Sequence, residues 1–191
     1  MPAPLYAQDV PDGPRRVIGQ VGALPLANGG MVELDGPDRR LVFRTAAGMT
    51  RTVVLPDSLG AVFALWAADA DGSGAYVRSA GLSGHIKIVR VDRESGAPTT
   101  ILEHPLAQLP YVLAAQRGVV VYATWPPGDY SGRATIWQVR PGEPSKAVTI
   151  LPFACDAETL TMSADGRRFA CARRTGKPDL FMIEGFDRYR D

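Results

Sequence analysis

The sequence predicts an all-β protein, more specifically a β-propeller of about four four-stranded blades. Three observations support this prediction: turn glycines recur at a regular interval, strand-ending prolines keep the same phase, and short apolar segments alternate with turns. The chain has 191 residues, of which 20 are glycine and 16 are proline. Many short strands separated by turns rich in these residues are typical of all-β folds.

The first landmark is a glycine that comes just before each predicted second strand. These glycines lie 43, 46 and 48 residues apart, at Gly29, Gly72, Gly118 and Gly166. Four-stranded propeller blades usually span about 40–50 residues. One glycine per blade therefore fits the period.

The second landmark is a proline that ends each predicted outer strand. Pro56, Pro105 and Pro152 follow the first three glycines by 27, 33 and 34 residues. Third strands are predicted between the two landmarks, at residues 40–44, 85–91 and 134–139. The middle one of these alternates apolar and polar residues, as expected for a half-buried strand. Two independent landmarks in nearly the same phase favour a repeat.

Together the landmarks divide the chain into an N-terminal arm, residues 1–21, and a propeller, residues 22–191. Four blades are predicted over residues 22–56, 61–105, 109–152 and 157–187. Inner strands are expected over residues 61–68, 111–115 and 158–162. The fourth blade has no outer strand of its own, and residues 15–21 are the segment predicted to supply it.

Several arrangements of these strands stay open. A β-sandwich would use the same strand pattern. Four blades are the low end of the usual propeller range of about 4–8. The blades could close as a small ring, form half of a larger ring completed by a second copy, or belong to a longer ring. An incomplete ring exposes strand edges, so a homodimer is a further hypothesis.

The last blade carries the most specific motif. Along residues 160–187, a small residue, an Asp-Gly turn, an apolar strand, a Pro-Asp turn and a Leu-aromatic strand follow in order: Ser163, Asp165-Gly166, 169–171, 177–179 and 180–181. Asp-Gly between strand-forming residues is a strong hairpin signal. This order resembles the repeat of TolB-like β-propellers, over about 28 residues.

The resemblance implies an architecture and a range of uses. It implies a non-catalytic protein-interaction or scaffold module, located outside the cytoplasm in the periplasm or at the cell surface. The alternatives are a propeller that binds a small ligand or carbohydrate, or an accessory or sensor propeller of a larger hydrolase or receptor. Propeller peptidases of the family carry their nucleophile in a separate α/β domain, for which this chain is too short.

Composition disfavours several other classes. The 21 Lys and Arg and 20 Asp and Glu residues give a net charge of +1, so nucleic-acid binding by bulk charge is not expected. The longest apolar run, residues 61–68, is far shorter than the roughly 18 residues of a membrane span. The first 16 residues lack a basic region followed by an apolar one, so no signal peptide is expected there. A signal or anchor that had been removed would leave the same pattern.

Catalytic, metal and cofactor sites are not predicted. Residues 69–74 resemble a calcium loop, but the twelfth position is Ala80 where an EF-hand requires glutamate, so a hairpin turn is preferred. Residues 81–84 lack the Gly-x-Ser-x-Gly pattern of a nucleophile elbow. A zinc site would have to combine residues without the close spacing of such sites: His85, His104, Cys155 and Cys171.

The two cysteines flank one predicted strand. A hairpin centred on Asp165-Gly166 places Cys171 opposite about Leu160 rather than opposite Cys155. A disulfide would therefore require the chain before Glu158 to fold back, and free buried thiols are the preferred interpretation.

The predicted binding residues are two aromatics on one loop and two arginine pairs: Trp125, Tyr130, Arg39, Arg40, Arg167 and Arg168. Aromatic side chains on a loop stiffened by Pro and Gly, residues 125–132, offer a large contact area at low entropic cost. Arginine is enriched at the energetic centres of interfaces. The alternatives are that Trp125 packs between blades and that the arginines are solvated turn charges.

Overall fold

The structure is a computed structural model that describes residues 4–7, 16–20, 23–35, 38–80, 84–105, 110–116, 118–129, 132–157, 159–162, 168–175 and 177–184. Its regular elements are β-strands, together with one 3-10 turn at Asp57–Leu59. The all-β prediction is therefore confirmed. None of the described segments forms a helix with the length and apolar character needed to span a bilayer.

The strands form one small sheet and four larger ones. The small sheet pairs β1 (Pro4–Ala7) with β2 (Arg16–Gln20). The first sheet contains β3 (Ala23–Pro25), β4 (Met31–Asp35), β5 (Arg40–Arg44) and β6 (Thr50–Val54). The second contains β7 (Ala61–Ala68), β8 (Gly74–Ala80), β9 (His85–Asp92) and β10 (Pro98–Pro105). The third contains β11 (Tyr111–Gln116), β12 (Val119–Thr124), β13 (Thr135–Val139) and β14 (Lys146–Ile150).

The fourth sheet contains three described strands: β15 (Thr161–Met162), β16 (Arg168–Thr175) and β17 (Lys177–Glu184). In all four sheets the strands are hydrogen-bonded in chain order, as in the antiparallel blades of a propeller. Residues 15–21 were predicted to close the fourth blade. The structure pairs β2 with β1, and the closing role stays a prediction.

The predicted turn glycines have the backbone conformation that glycine favours. Gly29, Gly72 and Gly118 have φ angles of 79°, 71° and 85°, and each lies just before the second strand of its sheet. Only glycine adopts such angles without steric cost. Gly166, together with the predicted turn at Asp165-Gly166, lies outside the described residues.

The chain divides into two compact units, residues 1–82 with 88–100 and residues 83–87 with 101–191. In the first unit, apolar side chains of the first two sheets pack into one core, which includes Val32, Leu41, Val77 and Val89. In the second unit, side chains of the third and fourth sheets do the same, including Ile136, Leu160 and Phe169. Each pair of sheets thus buries the faces that period-2 alternation makes apolar.

Candidate functional site

Trp125 is a core residue of the second unit. Its side chain is 4% exposed, and its ring nitrogen donates a 2.8 Å hydrogen bond to the Cys155 carbonyl oxygen. The edge of the ring packs against Tyr111, with centroids 5.4 Å apart. The predicted binding role requires an exposed indole, so this placement corrects it in favour of the packing alternative. Tyr130, the other predicted aromatic, lies outside the described residues.

Arg39 holds a loop of its own unit together. Its guanidinium donates 2.8 Å hydrogen bonds to the carbonyl oxygens of Pro56 and Gly60. Its backbone has a φ of 53°, in the region that non-glycine residues rarely adopt. These contacts indicate a structural role in the connection that follows β6.

Arg40, the second arginine of that predicted pair, is less constrained than Arg39. Arg40 is about half exposed and lies 3.4 Å from the carboxylate of Asp38, as expected for a solvated turn charge. Arg168 begins β16 in the second unit, and Arg167 lies outside the described residues. The binding role of Arg40, Arg167 and Arg168 therefore stays a prediction.

The segment from Asp69 to Gly74 forms a hairpin turn. The Gly72 amide donates to the Asp69 carbonyl oxygen at 2.8 Å, and the Asp69 amide donates to the Gly74 carbonyl oxygen at 2.9 Å. The buried carboxylate of Asp69 accepts two hydrogen bonds from Arg90, at 2.9 and 2.7 Å. It also accepts one from the Tyr76 hydroxyl at 2.9 Å. Its oxygens therefore serve the protein's own donors, and binding calcium would require Asp69 to release Arg90.

This ion pair also shifts the titration of Arg90. Burial lowers the pKa of the Arg90 guanidinium, but the hydrogen bond and charge of Asp69, together with the charges of Tyr76 and Asp92, raise it, so the net pKa lies above the ordinary value. Gly74 makes the contact possible, because a Cβ there would lie 2.6 Å from the guanidinium carbon. These hydrogen bonds therefore stabilise the second sheet, because they join Asp69 to Tyr76 of β8 and Arg90 of β9.

A pocket of about 240 Å³ lies between the hairpin turns of the first two sheets. We call it the arginine pocket, because its charged lining consists of Arg44, Arg51, Arg93 and Glu94. The apolar part of the lining comes from Leu26, Phe43 and Met49. All of these residues belong to the first unit.

Hydrogen bonds between turns hold the arginine pocket in shape. The side-chain amide of Asn28 donates to the Asp71 carbonyl oxygen at 3.3 Å, and the Arg93 amide donates to the Ser73 carbonyl oxygen at 2.9 Å. Gly72 packs closely as well, because a Cβ there would lie 2.8 Å from the terminal carbon of Leu26.

The three arginines are held in two different ways. Arg44 lies 3.0 Å from the carboxylate of Glu33, and Arg93 lies 2.8 Å from that of Glu94. Arg51 instead donates a 2.7 Å hydrogen bond to the backbone carbonyl oxygen of Glu94. A carbonyl oxygen orients a guanidinium without neutralising its charge, so Arg51 can still pair with an incoming anion.

The sequence prediction missed this pocket, although one signal was present. Arg44, Arg93 and Arg140 lie at the third turn of successive blades, at intervals of 49 and 47 residues, which match the glycine period. The meeting of two of these turns at one pocket depends on sheet-to-sheet packing and is not visible in a linear pattern.

Cys155 and Cys171 form a disulfide, with their Cα atoms 5.9 Å apart. The expectation of free thiols was therefore wrong. The expected register was correct, because Thr161 pairs with Ala170 and Cys171 thus falls opposite Leu160. The chain before Glu158 folds back, with the Cys155 amide donating to the Gly132 carbonyl oxygen, and this brings the two sulfurs together.

The described histidines and cysteines of the remaining motifs contact other groups of the protein. His85 lies 4.0 Å from the carboxylate of Glu103, and His104 packs edge-on against Tyr122 with ring centroids 6.5 Å apart. The cysteines predicted as possible zinc partners are bonded to each other. Within the described part of the chain, no three His, Cys, Asp or Glu residues cluster as metal ligands. Residues 81–83 of the tested serine motif lie outside the described residues.

Comparison with solved structures identifies the fold. TolB from Acinetobacter baumannii superposes with a TM-score of 0.61 at 13% identity, covering 96% of this chain and 47% of TolB. A protein assigned as TolB from Agrobacterium tumefaciens gives 0.59 at 14% identity, covering 90% and 62%. A prolyl endopeptidase gives 0.53 at 13% identity, covering 99% of this chain and 32% of the enzyme.

The fold is thus a TolB-like β-propeller fold, which confirms the fold that the motif in the last blade implies. This chain spans between about half and three fifths of the length of these TolB structures. Searches with protein-family models and against curated proteins give no match.

Proposed function

We propose that this chain is a non-catalytic β-propeller module that binds a protein partner through the arginine pocket. The observation that carries the proposal is the placement of Arg51. Its guanidinium is exposed near the start of β6, oriented by a carbonyl oxygen, and adjacent to the exposed side chain of Met49. Arginine beside an apolar side chain is a common composition at the energetic centre of protein interfaces.

The size of the pocket supports a protein partner over a small-molecule ligand. Sites that enclose small molecules usually have volumes of about 300–1,000 Å³. The arginine pocket, at about 240 Å³, is smaller and is bordered by exposed residues. Such a pocket accommodates one or two side chains of a larger partner.

The test is an affinity capture with matched variants, followed by a binding measurement on the captured protein. Wild type, R51E and R40E are immobilised, retained proteins are identified, and the partner is purified and titrated. We expect R51E to weaken its affinity at least about tenfold and R40E to leave it within about twofold. Equal binding to R51E and wild type would refute a role for the pocket. Loss on R40E alone would favour the arginine pair predicted from the sequence.

We further propose a location outside the cytoplasm. The support is the Cys155–Cys171 disulfide, because disulfides persist in oxidising compartments and are rare in the cytosol. Fractionation of the source cells tests this, and recovery of the protein with reduced cysteines in the cytosolic fraction would contradict it.

An accessory propeller of a larger hydrolase is the second candidate, supported by the structural likeness to a prolyl endopeptidase. Incubating the purified chain with a fluorogenic Gly-Pro peptide tests whether the chain is itself catalytic or only an accessory to a catalytic domain. No hydrolysis is expected from the chain alone, and turnover proportional to its concentration would overturn the non-catalytic assignment.

A homodimer is also proposed, because β17 is the last described strand of a sheet that has three described strands. Exposed strand edges can pair with another chain. Light scattering coupled to gel filtration measures the mass directly. A value near 41 kDa, twice the chain mass of 20.5 kDa, supports the dimer, and a monodisperse monomer removes it.

A further inference from the structure

We infer that the arginine pocket recognises a peptide segment in which a carboxylate side chain lies next to an apolar side chain. This inference rests on the proposed function and specifies the chemistry of the partner. It depends on three features of the pocket: the pairing of its charges, the position of its apolar residues, and the chain's overall charge balance.

The carboxylate is assigned by the charges. Three arginines and one glutamate line the pocket, which leaves an excess of positive charge. Arg44 and Arg93 each have an acidic neighbour, whereas the contact of Arg51 is a neutral carbonyl oxygen. A guanidinium fixed through one Nη atom can still present its other N–H groups to a carboxylate, which its planar fork matches.

The apolar neighbour is assigned by the residues beside Arg51. Met49 is 69% exposed, while Phe43 is buried beneath the pocket at 3% exposure. A thioether side chain adapts to differently shaped partners at little cost. An apolar side chain seated on Met49 and Leu26 would lie beside the guanidinium of Arg51, since all three residues line the same pocket.

The charge balance favours an acidic peptide over a nucleic acid. Binding to a phosphate backbone usually depends on a large basic surface that contacts several phosphates. Here the net charge is +1, and Glu33 and Glu94 lie next to two of the three pocket arginines. Among the three pocket arginines, Arg51 is the one held by a neutral group, and a single carboxylate matches its guanidinium.

The experiment is selection of random peptides displayed on phage against the full chain. Before each round, phage that bind a triple variant, R44E/R51E/R93E, are removed. Enriched peptides are synthesised and titrated by fluorescence anisotropy against wild type, R51E and R51Q. The matched control is R140E, because Arg140 is exposed at the equivalent turn of the third sheet and does not line the pocket. Thermal unfolding of every variant verifies that it is folded.

We expect the enriched peptides to share an Asp or Glu within two positions of Leu, Ile, Met or Phe. R51E should weaken their binding by at least about tenfold, R51Q by about threefold to tenfold, and R140E by less than about twofold. Replacing the peptide acid by its amide should weaken binding about as much as R51Q does, because either change removes the ion pair without introducing a like charge. Raising the salt from about 50 to about 500 mM should weaken binding several-fold, because exposed charges are screened.

Three outcomes would overturn the inference. In the first, the enriched peptides bind equally well after their acid is replaced. In the second, the selection yields no peptide whose binding depends on Arg51. In the third, a single-stranded oligonucleotide at equal concentration displaces the peptides. The proposed function fails separately, if the captured protein partner binds R51E as well as wild type. A partner that depends on Arg51 but uses no carboxylate would retain the function and reject the peptide chemistry.

Discussion

Replacing Asp69 by asparagine (D69N) should destabilise the first unit strongly while keeping the size of the side chain. The Asp69 side chain is fully buried and the Arg90 side chain is 19% exposed, so the variant leaves a largely buried cation without its main partner. Breaking a buried ion pair on one side usually costs about 3–5 kcal/mol. Arg90 keeps some contact with water and lies 3.6 Å from Asp92, so we expect a loss near the lower end, about 3 kcal/mol.

The loss should be visible as a lower melting temperature and a lower urea midpoint. For chains of this length, 1 kcal/mol corresponds to about 2–4 °C, so D69N should melt about 6–12 °C below wild type. Calorimetry gives the first quantity, and urea titration followed by tryptophan fluorescence gives the second. Y76F is the matched control, because it removes one hydrogen bond from a neutral donor to the same carboxylate, keeps the ion pair with Arg90, and should cost about 1.5 kcal/mol.

A double variant identifies the source of the loss. If unpaired Arg90 causes it, D69N/R90M should be more stable than the sum of the two single losses predicts. If D69N lowered the free energy of unfolding by less than about 1 kcal/mol, the stabilising role of the Asp69–Arg90 ion pair would be refuted. A wild-type melting temperature raised by several degrees with calcium chloride would refute it as well, since the carboxylate would then serve a cation.

Three further predictions concern stability. W125A should lower the free energy of unfolding by about 3–5 kcal/mol. W125F should lower it by about 1–3 kcal/mol, because the Cys155 carbonyl oxygen loses its donor. An unchanged urea midpoint for W125A would contradict the buried position. Alkylation of the denatured, unreduced protein should label neither cysteine, and C155A/C171A should lose about 3 kcal/mol, as expected for a crosslink across 16 residues; two labelled thiols would contradict the pairing. Hydrogen bonds from the backbone and hydroxyl of Ser95 lower the pKa of the Asp92 carboxyl in the folded state. The contribution of ionised Asp92 to the free energy of unfolding should therefore be complete above the ordinary pKa of 3.8. It should disappear as the pH falls through the lower pKa of the folded state. The difference between wild type and D92N in urea midpoint should follow this course, and a difference independent of pH would contradict it.

The fold could be predicted because its signals are local. A left-handed turn demands glycine at Gly29, Gly72 and Gly118 whatever the neighbouring sheets do, so the period of these residues reports the repeat directly. Hairpin register is also local, and Cys171 falls opposite Leu160 as expected. Strand pairing in chain order then follows from short connections.

The site could not be predicted because it depends on contacts between segments that are distant in the sequence. Arg51 reaches Glu94, 43 residues away, and Arg90 reaches Asp69, 21 residues away. Composition made Trp125 resemble a surface aromatic, since its loop is rich in Pro and Gly, but the indole turns inward to the Cys155 carbonyl oxygen. Sequence patterns predict which face of a strand is exposed, but they do not predict whether a single side chain in a loop is exposed or buried.

The pairing of strands in chain order also bears on how such a chain can change in evolution. The described strands of each of the four sheets come from one uninterrupted stretch of the chain. Duplication or deletion of such a stretch would add or remove a whole sheet and leave the hydrogen bonds inside the other sheets intact. The cost would be confined to the apolar faces at the new junction, which is why repeat architectures vary most readily by whole units.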